Sequence, residues 1–169
     1  DDSLRRDFTI NSIYSDGDGN LFDPHNGKKD LEDGLVNFIG DADQRIKEDY
    51  LRILRYLRFF INYSKNPHDT EIIKKLKMNI DGVSKLSKER LLDELKKIIQ
   101  LSTIERLSKD KISLELFSII FPELKDIKIF SSLDRSKKML LQDEDFIFFL
   151  SLMIIDDTDN TDYFLYKFN

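Results

Sequence analysis

The sequence predicts an α+β protein that is predominantly α-helical, and three observations support this fold class. β-forming side chains and turn residues are concentrated in the first forty residues. Beyond Gly40, apolar residues recur at helical spacing, in segments that Pro or Gly separates. No repeat of fixed period and no low-complexity linker interrupts this order. We therefore expect a short β region followed by a series of helices.

The β region is expected to contain a hairpin. Residues 16–20 read Asp-Gly-Asp-Gly-Asn, a composition typical of a tight turn. Asp16, Asp18 and Asn20 have oxygen-bearing side chains at alternate positions, as in a calcium-binding loop. That loop requires glycine where this chain has Leu21, so a turn is favoured. A short helix is expected at residues 28–33. The expected strands comprise residues 8–14, 21–23 and 36–39.

The region beyond Gly40 is expected to form helices throughout. Asp41 or Asp43 can cap the first helix and Ser87 the third, because short polar side chains accept hydrogen bonds from the first backbone N–H groups of a helix. The predicted helices are residues 46–61, 68–77, 88–101, 103–109, 114–120, 136–141, 146–155 and 162–168.

Composition restricts the possible functions. The 27 basic and 32 acidic side chains give a net charge of −5, which does not favour general binding to nucleic acid, so any RNA contact must be local. The absence of cysteine excludes disulfides and thiolate metal sites. The longest apolar runs are too short to cross a bilayer. We expect a soluble, cytoplasmic protein with no membrane partner.

Two segments carry the residues that suggest chemistry. Residues 5–7, Arg-Arg-Asp, place two guanidiniums and a carboxylate on one stretch that is expected to be extended. Residues 49–58 repeat arginine at every third position after Asp49. If each residue of a helix advances by about 100°, one arc of roughly 120° is apolar, and it comprises Ile46, Tyr50, Ile53, Leu54, Leu57, Phe60 and Ile61. The remaining side carries Arg45, Asp49, Arg52, Arg55 and Arg58, which we expect to face a groove or water.

This polar side has two interpretations. It could be a solvated face with ion pairs worth a few tenths of a kcal/mol each. It could also recognise a ligand, because arginine suits planar, bidentate contacts and Lys47 is the one lysine of the segment. A carboxylate accepts hydrogen bonds and a guanidinium donates them. A neighbouring Asp/Arg pair therefore matches adenine and cytosine, which present an amino group beside a ring-nitrogen acceptor. It opposes guanine and uracil, which present the reverse pattern.

These segments resemble motifs of the class II tRNA nucleotidyltransferases (CCA-adding enzymes) and of the related bacterial poly(A) polymerases. Residues 5–12 resemble the family's Arg-Arg-Asp-Phe-Thr-Ile-Asn-Ala motif, which is tied to ribose and nucleotide binding. Residues 23–40 resemble its hinge between head and neck, and residues 48–58 match its base-recognition helix. Residues 87–95 resemble the neck element that supports that helix. The four motifs occur in the family's order.

The resemblance implies a role for each matching residue. Asp49 and Arg52 would read the base, and Asp7 would help to test for the 2′-hydroxyl of the ribose. The implied nucleotide-binding residues are Arg6, Asp7, Asp49, Arg52, Arg55 and Arg58. The implied structural supports are Asn11, Glu48, Glu89, Arg90 and Glu94. The sequence departs from the family pattern, outside the base-reading pair, at Ser12, Asn26, Asn37 and Tyr50.

The resemblance also implies an activity and a domain order. The parent protein would add CCA to the 3′ end of tRNA from CTP and ATP, with Mg²⁺ as its cofactor. The family's metal-binding aspartates would lie upstream, so no catalytic residue and no metal ligand is assigned here, and residues 1–169 are expected to be an inactive internal fragment. The expected domains are the C-terminal part of a nucleotidyltransferase head (1–40), a helical neck (41–101) and part of a helical body (102–169).

Two alternatives stay open from the sequence. One is a poly(A) polymerase of the same family, which tails RNA with ATP alone. The other is a non-catalytic helical module that binds RNA or protein and keeps the motifs as structure.

Overall fold

The computed structural model describes residues 2–154 and 160–168. The described chain is mainly helical with one small antiparallel sheet, which confirms the predominantly helical α+β fold class. It divides into two compact units, one up to Gly82 and one from Val83. The domain boundaries expected at residues 40 and 101 stay predictions. Residues 1, 155–159 and 169, which belong to the first and third expected domains, lie outside the described residues.

The first unit contains the β hairpin and four α-helices. α2 packs against α3 and α4, and α1 packs against the short 3₁₀ helix at Thr9–Asn11. The elements are the 3₁₀ helices Asp2–Arg5 and Thr9–Asn11, the strands β1 (Tyr14–Ser15) and β2 (Leu21–Phe22), and the helices α1 (Gly27–Asp33), α2 (Ala42–Glu48), α3 (Leu51–Tyr63) and α4 (Thr70–Asn79).

The second unit is helical in its described part. α6 packs against α7 and the 3₁₀ helix Ile127–Ser132, while α10 packs against α5 and α9. Lys167 ties α10 to the end of α7, because its ammonium donates to the Ile120 carbonyl at 2.7 Å and lies 3.1 Å from the buried Glu123 carboxylate. The helices are α5 (Lys88–Ile98), α6 (Leu101–Lys109), α7 (Lys111–Ile120), α8 (Arg135–Leu141), α9 (Phe146–Ile154) and α10 (Asn160–Phe168).

The predicted hairpin is confirmed. β1 and β2 pair in antiparallel register, with Tyr14 opposite Phe22. The Asp16 carboxylate accepts from the backbone N–H of Asp18 at 3.0 Å and of Asn20 at 2.8 Å. These bonds close the turn through its own side chain, as short acidic residues commonly do in turns.

The expectation of strands at residues 8–14 and 36–39 is wrong for most of those residues. Thr9–Asn11 forms a 3₁₀ helix, and the two segments meet at a single antiparallel bridge between Phe8 and Phe38. The Asn11 side chain accepts from the backbone N–H of Phe8 at 3.2 Å, which offers the backbone a local alternative to a strand ladder. The bridge still holds residues 7–9 against residues 37–39.

The single helix predicted at residues 46–61 is wrong, because it is interrupted at Asp49. Asp49 has an extended backbone (φ −156°, ψ 103°) between α2 and α3. Its carboxylate accepts from the N–H of Leu51 at 3.1 Å, and its carbonyl accepts from the N–H of Arg52 at 3.1 Å. Asp49 therefore satisfies the first donors of α3, which is the preferred use of aspartate at a helix start.

The apolar arc of α3 is buried as predicted, but the opposite side is partly buried too. Ile53, Leu54 and Leu57 are almost completely shielded from solvent. Tyr56, which lies on the predicted polar side, is 1% exposed and stacks on Phe38 at a ring-centroid distance of 5.9 Å. Residues on both sides of α3 are thus buried, and Arg52 and Arg55, which are 12% and 27% exposed, do not form an open solvated face.

Gly82 allows the Tyr50 ring to occupy its place beside the α2–α3 junction. A Cβ atom on Gly82 would lie 2.2 Å from that ring. We expect Gly82→Ala to lower the free energy of unfolding by about 1–3 kcal/mol, because the ring must move out of a packed site. Urea unfolding followed by circular dichroism measures this change. Gly17→Ala is the matched control, since a Cβ there meets nothing within 4 Å. Equal midpoints for the two variants would contradict the expectation.

Candidate nucleotide-binding site

The candidate site is the α2–α3 junction together with residues 5–8, which lie against it. An N–H···O bond of 3.0 Å from Ile39 to the Asp7 carbonyl and one of the same length from Thr9 to the Asn37 carbonyl fix residues 7–9. The Thr9 hydroxyl also donates to Asp30 at 2.6 Å. Residues 7–9, which directly follow Arg5 and Arg6, are therefore attached to residues 37–39 through backbone hydrogen bonds and to α1 through the Thr9 side chain.

A network of charged side chains spans α2 and the start of α3. Glu48 Oε2 accepts from Arg45 NH1 at 2.5 Å and from Arg52 NH1 at 2.8 Å. Arg52 NH1 also donates to the carbonyl of Arg45 at 2.6 Å. The hydrogen bond from Arg52 is the main reason that the pKa of Glu48 lies below its ordinary value. The network holds one nitrogen of the Arg52 guanidinium in a fixed place.

Of the two predicted base-reading residues, Asp49 is at the helix break and Arg52 is in the first turn of α3. The Asp49 side chain is half-buried, and one of its oxygens caps α3. The Arg52 side chain is 12% exposed. Within the described residues, every hydrogen bond of its guanidinium is made through NH1, so NH2 and Nε keep their donors available to a ligand. The break places an acceptor and a donor at one junction.

Asp7, which is buried, forms an ion pair with the partly buried Arg55. Arg55 donates to both oxygens of Asp7, through Nε to Oδ2 and through NH2 to Oδ1 at 3.2 Å. Asn11 donates to the same carboxylate at 2.6 Å. Burial raises the pKa of Asp7, but the bonds from Arg55 and Asn11 and the guanidinium charge outweigh burial and hold the pKa below its ordinary value.

The other two predicted nucleotide-binding arginines, Arg6 and Arg58, have separate contacts. Arg6 forms an exposed ion pair with Asp2 at 2.9 Å and lies 5.8 Å from the centroid of the Tyr14 ring. Arg58 lies 4.6 Å from the centroid of the Phe59 ring. Each guanidinium lies near an aromatic ring, and both residues belong to the first unit, as Arg52 does.

The predicted supports separate into two groups. Asn11 and Glu48 directly contact predicted site residues, as described above. Glu89, Arg90 and Glu94 lie on α5 of the second unit, where Ser87 caps the helix as predicted and Glu94 is buried. Their role in supporting the nucleotide-recognition helix stays a prediction.

Sequence reasoning did not assign Arg45 to the site. Its guanidinium donates to the carbonyls of Arg5 at 3.1 Å and of Arg6 at 2.6 Å, across about forty positions of sequence. No local pattern announces a bond from a side chain to so distant a backbone. The one available signal was its place on the same helical side as Arg52.

Over residues 2–154 and 160–168, no group of three or more His, Cys, Asp or Glu side chains could hold a metal ion. No chemical step through a metal is therefore derived from these residues. None of the helices in the described residues is long and apolar enough to cross a membrane.

Models of known protein families match two segments of the chain. A family model described as the poly A polymerase head domain matches residues 1–37. A second model, described as a probable RNA and SrmB-binding site of polymerase A, matches residues 69–128. In these two segments the chain is therefore similar to the poly A polymerase family.

Curated proteins with similar sequences include CCA-adding enzymes. The chain is 49% identical over 100 residues to human mitochondrial CCA tRNA nucleotidyltransferase 1, which covers 58% of the chain and 23% of the relative. It is 32% identical over 163 residues to the CCA-adding enzyme of Staphylococcus haemolyticus, which covers 95% of the chain and 38% of the relative. The matched part of the chain thus spans 23% and 38% of the length of these two relatives.

Solved structures share the fold. The Thermotoga maritima CCA-adding enzyme complexed with tRNA matches with a TM-score of 0.66 and 21% identity, over 99% of the chain and 44% of that structure. The Bacillus stearothermophilus CCA-adding enzyme in complex with CTP matches with a TM-score of 0.54 and 26% identity, over 66% of the chain and 29% of that structure.

Proposed function

We propose that this chain is the nucleotide-selecting part of an enzyme that adds CCA to the 3′ end of tRNA from CTP and ATP. The observation that carries the proposal is the anchored Arg52 beside Asp49 at the α2–α3 junction. CCA-adding relatives cover up to 95% of the chain, and related structures hold CTP, ATP or tRNA, which supports the same activity.

The proposed selection follows from hydrogen-bond polarity. The Asp49 carboxylate accepts from the amino group of adenine or cytosine, and Arg52 donates to the neighbouring ring nitrogen. Guanine and uracil place a donor against Arg52 and an acceptor against Asp49. They are rejected because these buried groups then lose their partners. Fixing Arg52 NH1 on Glu48 and on the Arg45 carbonyl pre-orients the donor, so the site needs no template strand.

The remaining predicted residues surround this pair. Arg6, Arg55 and Arg58 supply guanidiniums, which suit phosphate and ribose oxygens. Asp7 lies against Arg55 and Asn11, so we propose that it acts on the nucleotide chiefly by holding Arg55 in place. Mg²⁺, which nucleotidyl transfer uses to activate the attacking hydroxyl and to neutralise the leaving pyrophosphate, is proposed for the full-length protein. Cytoplasmic location also stays a proposal, since the human relative is named as mitochondrial.

A poly(A) polymerase is the second candidate, and one observation favours it. The descriptions of the two matching family models both name polymerase A: one is its head domain and the other its probable RNA-binding site. The base-edge argument admits adenine as readily as cytosine and does not distinguish the two enzymes.

The experiment that separates the candidates supplies nucleotides one at a time. We expect the full-length protein to incorporate CTP into tRNA that lacks its CCA end, and then one ATP, and we expect it to leave unrelated RNA unextended. Radiolabelled products resolved on a sequencing gel measure this. Long ATP tails on general RNA, without CTP incorporation, would instead establish a poly(A) polymerase. RNA binding with no incorporation of either nucleotide would indicate a non-catalytic module.

A further inference from the structure

We propose that Arg45 is a positioning residue that sets the place of the Arg5–Asp7 backbone and the orientation of Arg52 together. The inference rests on the proposed function, because it assigns a part in nucleotide selection to a residue outside the predicted site. Arg45 reaches both segments from the middle of α2, where its side chain is 14% exposed.

The first half of the arrangement is a backbone clamp. Arg45 NH2 donates to the Arg6 carbonyl at 2.6 Å and to the Arg5 carbonyl at 3.1 Å. These carbonyls belong to the two peptide units that lead into Asp7. Because a guanidinium carries its donors in a rigid plane, one side chain fixes two successive carbonyls relative to α2.

The second half reaches Arg52 by two routes. Arg45 NH1 and Arg52 NH1 share one oxygen of Glu48, at 2.5 Å and 2.8 Å. Arg52 NH1 also donates to the Arg45 carbonyl at 2.6 Å. A displacement of Arg45 therefore frees Glu48 to move and alters the anchor of the guanidinium that is proposed to read the base.

A role in stability alone fits the arrangement less well. Glu48 is 52% exposed, and ion pairs to an exposed carboxylate contribute little to folding stability. We expect Arg45 to matter more for the positions of the groups that it contacts than for folding stability. Its guanidinium donates to two carbonyls and a carboxylate, and these bonds constrain the direction of all three groups. Lysine, with one ammonium on a flexible stem, cannot reproduce a planar fork.

The test measures nucleotide selection in the full-length protein for Arg45→Met, Arg45→Lys and the control Lys47→Met. Lys47 is on the same helix, but it is 56% exposed and pairs with Asp43, away from the clamp. We expect Arg45→Met to raise the KM for CTP and ATP about tenfold, with kcat changed less than about threefold, and to raise UTP incorporation relative to CTP about tenfold. Arg45→Lys should give an intermediate ratio, and Lys47→Met should match the wild type.

A second measurement tests the proposal without depending on enzyme activity. Hydrogen exchange of a peptide that covers residues 3–9 should become at least about tenfold faster in Arg45→Met and stay unchanged in Lys47→Met. If exchange accelerates but the wild-type protein incorporates no nucleotide, the clamp stands and the proposed function fails. If exchange is unchanged, or if selectivity is unchanged in an active Arg45→Met enzyme, the positioning role is overturned. A lower melting temperature with an unaltered UTP-to-CTP ratio would also overturn it.

Discussion

Replacing Asp7 by asparagine is expected to lower the free energy of unfolding by about 3 kcal/mol, because a partly buried guanidinium loses one of the two Asp7 oxygens to which it donates. The Asp7 side chain is 7% exposed and that of Arg55 is 27% exposed. The amide of asparagine carries an NH₂ group, and Arg55 only donates, so one of the two carboxylate–guanidinium bonds becomes a contact between donors. Urea unfolding of the 169-residue chain, followed by circular dichroism, measures the loss.

Two controls separate this pair from charge in general. Asp2→Asn removes an equivalent charge from the exposed ion pair with Arg6 and is expected to leave the unfolding midpoint nearly unchanged. The double variant Asp7→Asn, Arg55→Met should lose less stability than the sum of the single variants, since the two residues share one interaction. Additive losses would show that Asp7 and Arg55 do not depend on each other.

The same pair predicts a dependence on pH. The pKa of Asp7 is lower in the folded chain than its ordinary value, so its contribution to stability is present above the unfolded value of about 4 and is lost as the pH falls through the folded value. The stability difference between the wild type and Asp7→Asn should therefore be constant from pH 7 to pH 5 and shrink below about pH 4. A constant difference down to pH 3 would mean that the charge of Asp7 does not supply the stability.

Replacing Arg52 by alanine is expected to reduce kcat/KM for CTP and ATP about a hundredfold in the full-length protein, while the Kd for tRNA changes less than about twofold. Loss of the charged hydrogen bond from Arg52 to the base accounts for about 3 kcal/mol of transition-state stabilisation. Single-turnover incorporation and filter binding, measured on the same preparation, give the two quantities.

The preference for CTP over UTP supplies a stricter criterion. The preference should fall in Arg52→Ala, because the donor that opposes uracil is gone. Arg135→Ala is the matched control, since Arg135 is an exposed arginine on α8 of the second unit. Equal losses of tRNA binding and nucleotide incorporation in Arg52→Ala would contradict the assigned role of Arg52.

Local signals predicted the elements that depend on neighbouring residues. The Asp-Gly-Asp-Gly-Asn turn is held by the Asp16 side chain within its own loop. The start of α5 is held by Ser87, three residues from the N–H that it caps. The apolar arc of α3 is buried because helical periodicity puts its residues on one face. Each of these features is decided within a few residues, so pattern and side-chain chemistry suffice.

The helix break at Asp49 shows where periodicity is insufficient. The apolar spacing continues smoothly from Ile46 to Ile53, as it would in one helix. A capping aspartate and the Tyr50 ring packed beside Gly82 make two shorter helices the preferred arrangement. An interior aspartate in an apolar pattern was the available signal, since aspartate favours helix starts over helix interiors.

The sequence by itself determined the fold class, the order of the motifs and the residue types that can select a nucleobase, because these follow from periodicity, spacing and the polarity of side-chain donors and acceptors. The tertiary structure decided which of those side chains meet. Arg45 reaches the carbonyls of Arg5 and Arg6, and Arg55 reaches Asp7, only after the chain has folded back on itself. Contacts between residues about forty positions apart depend on packing of the whole unit, and no local pattern contains them.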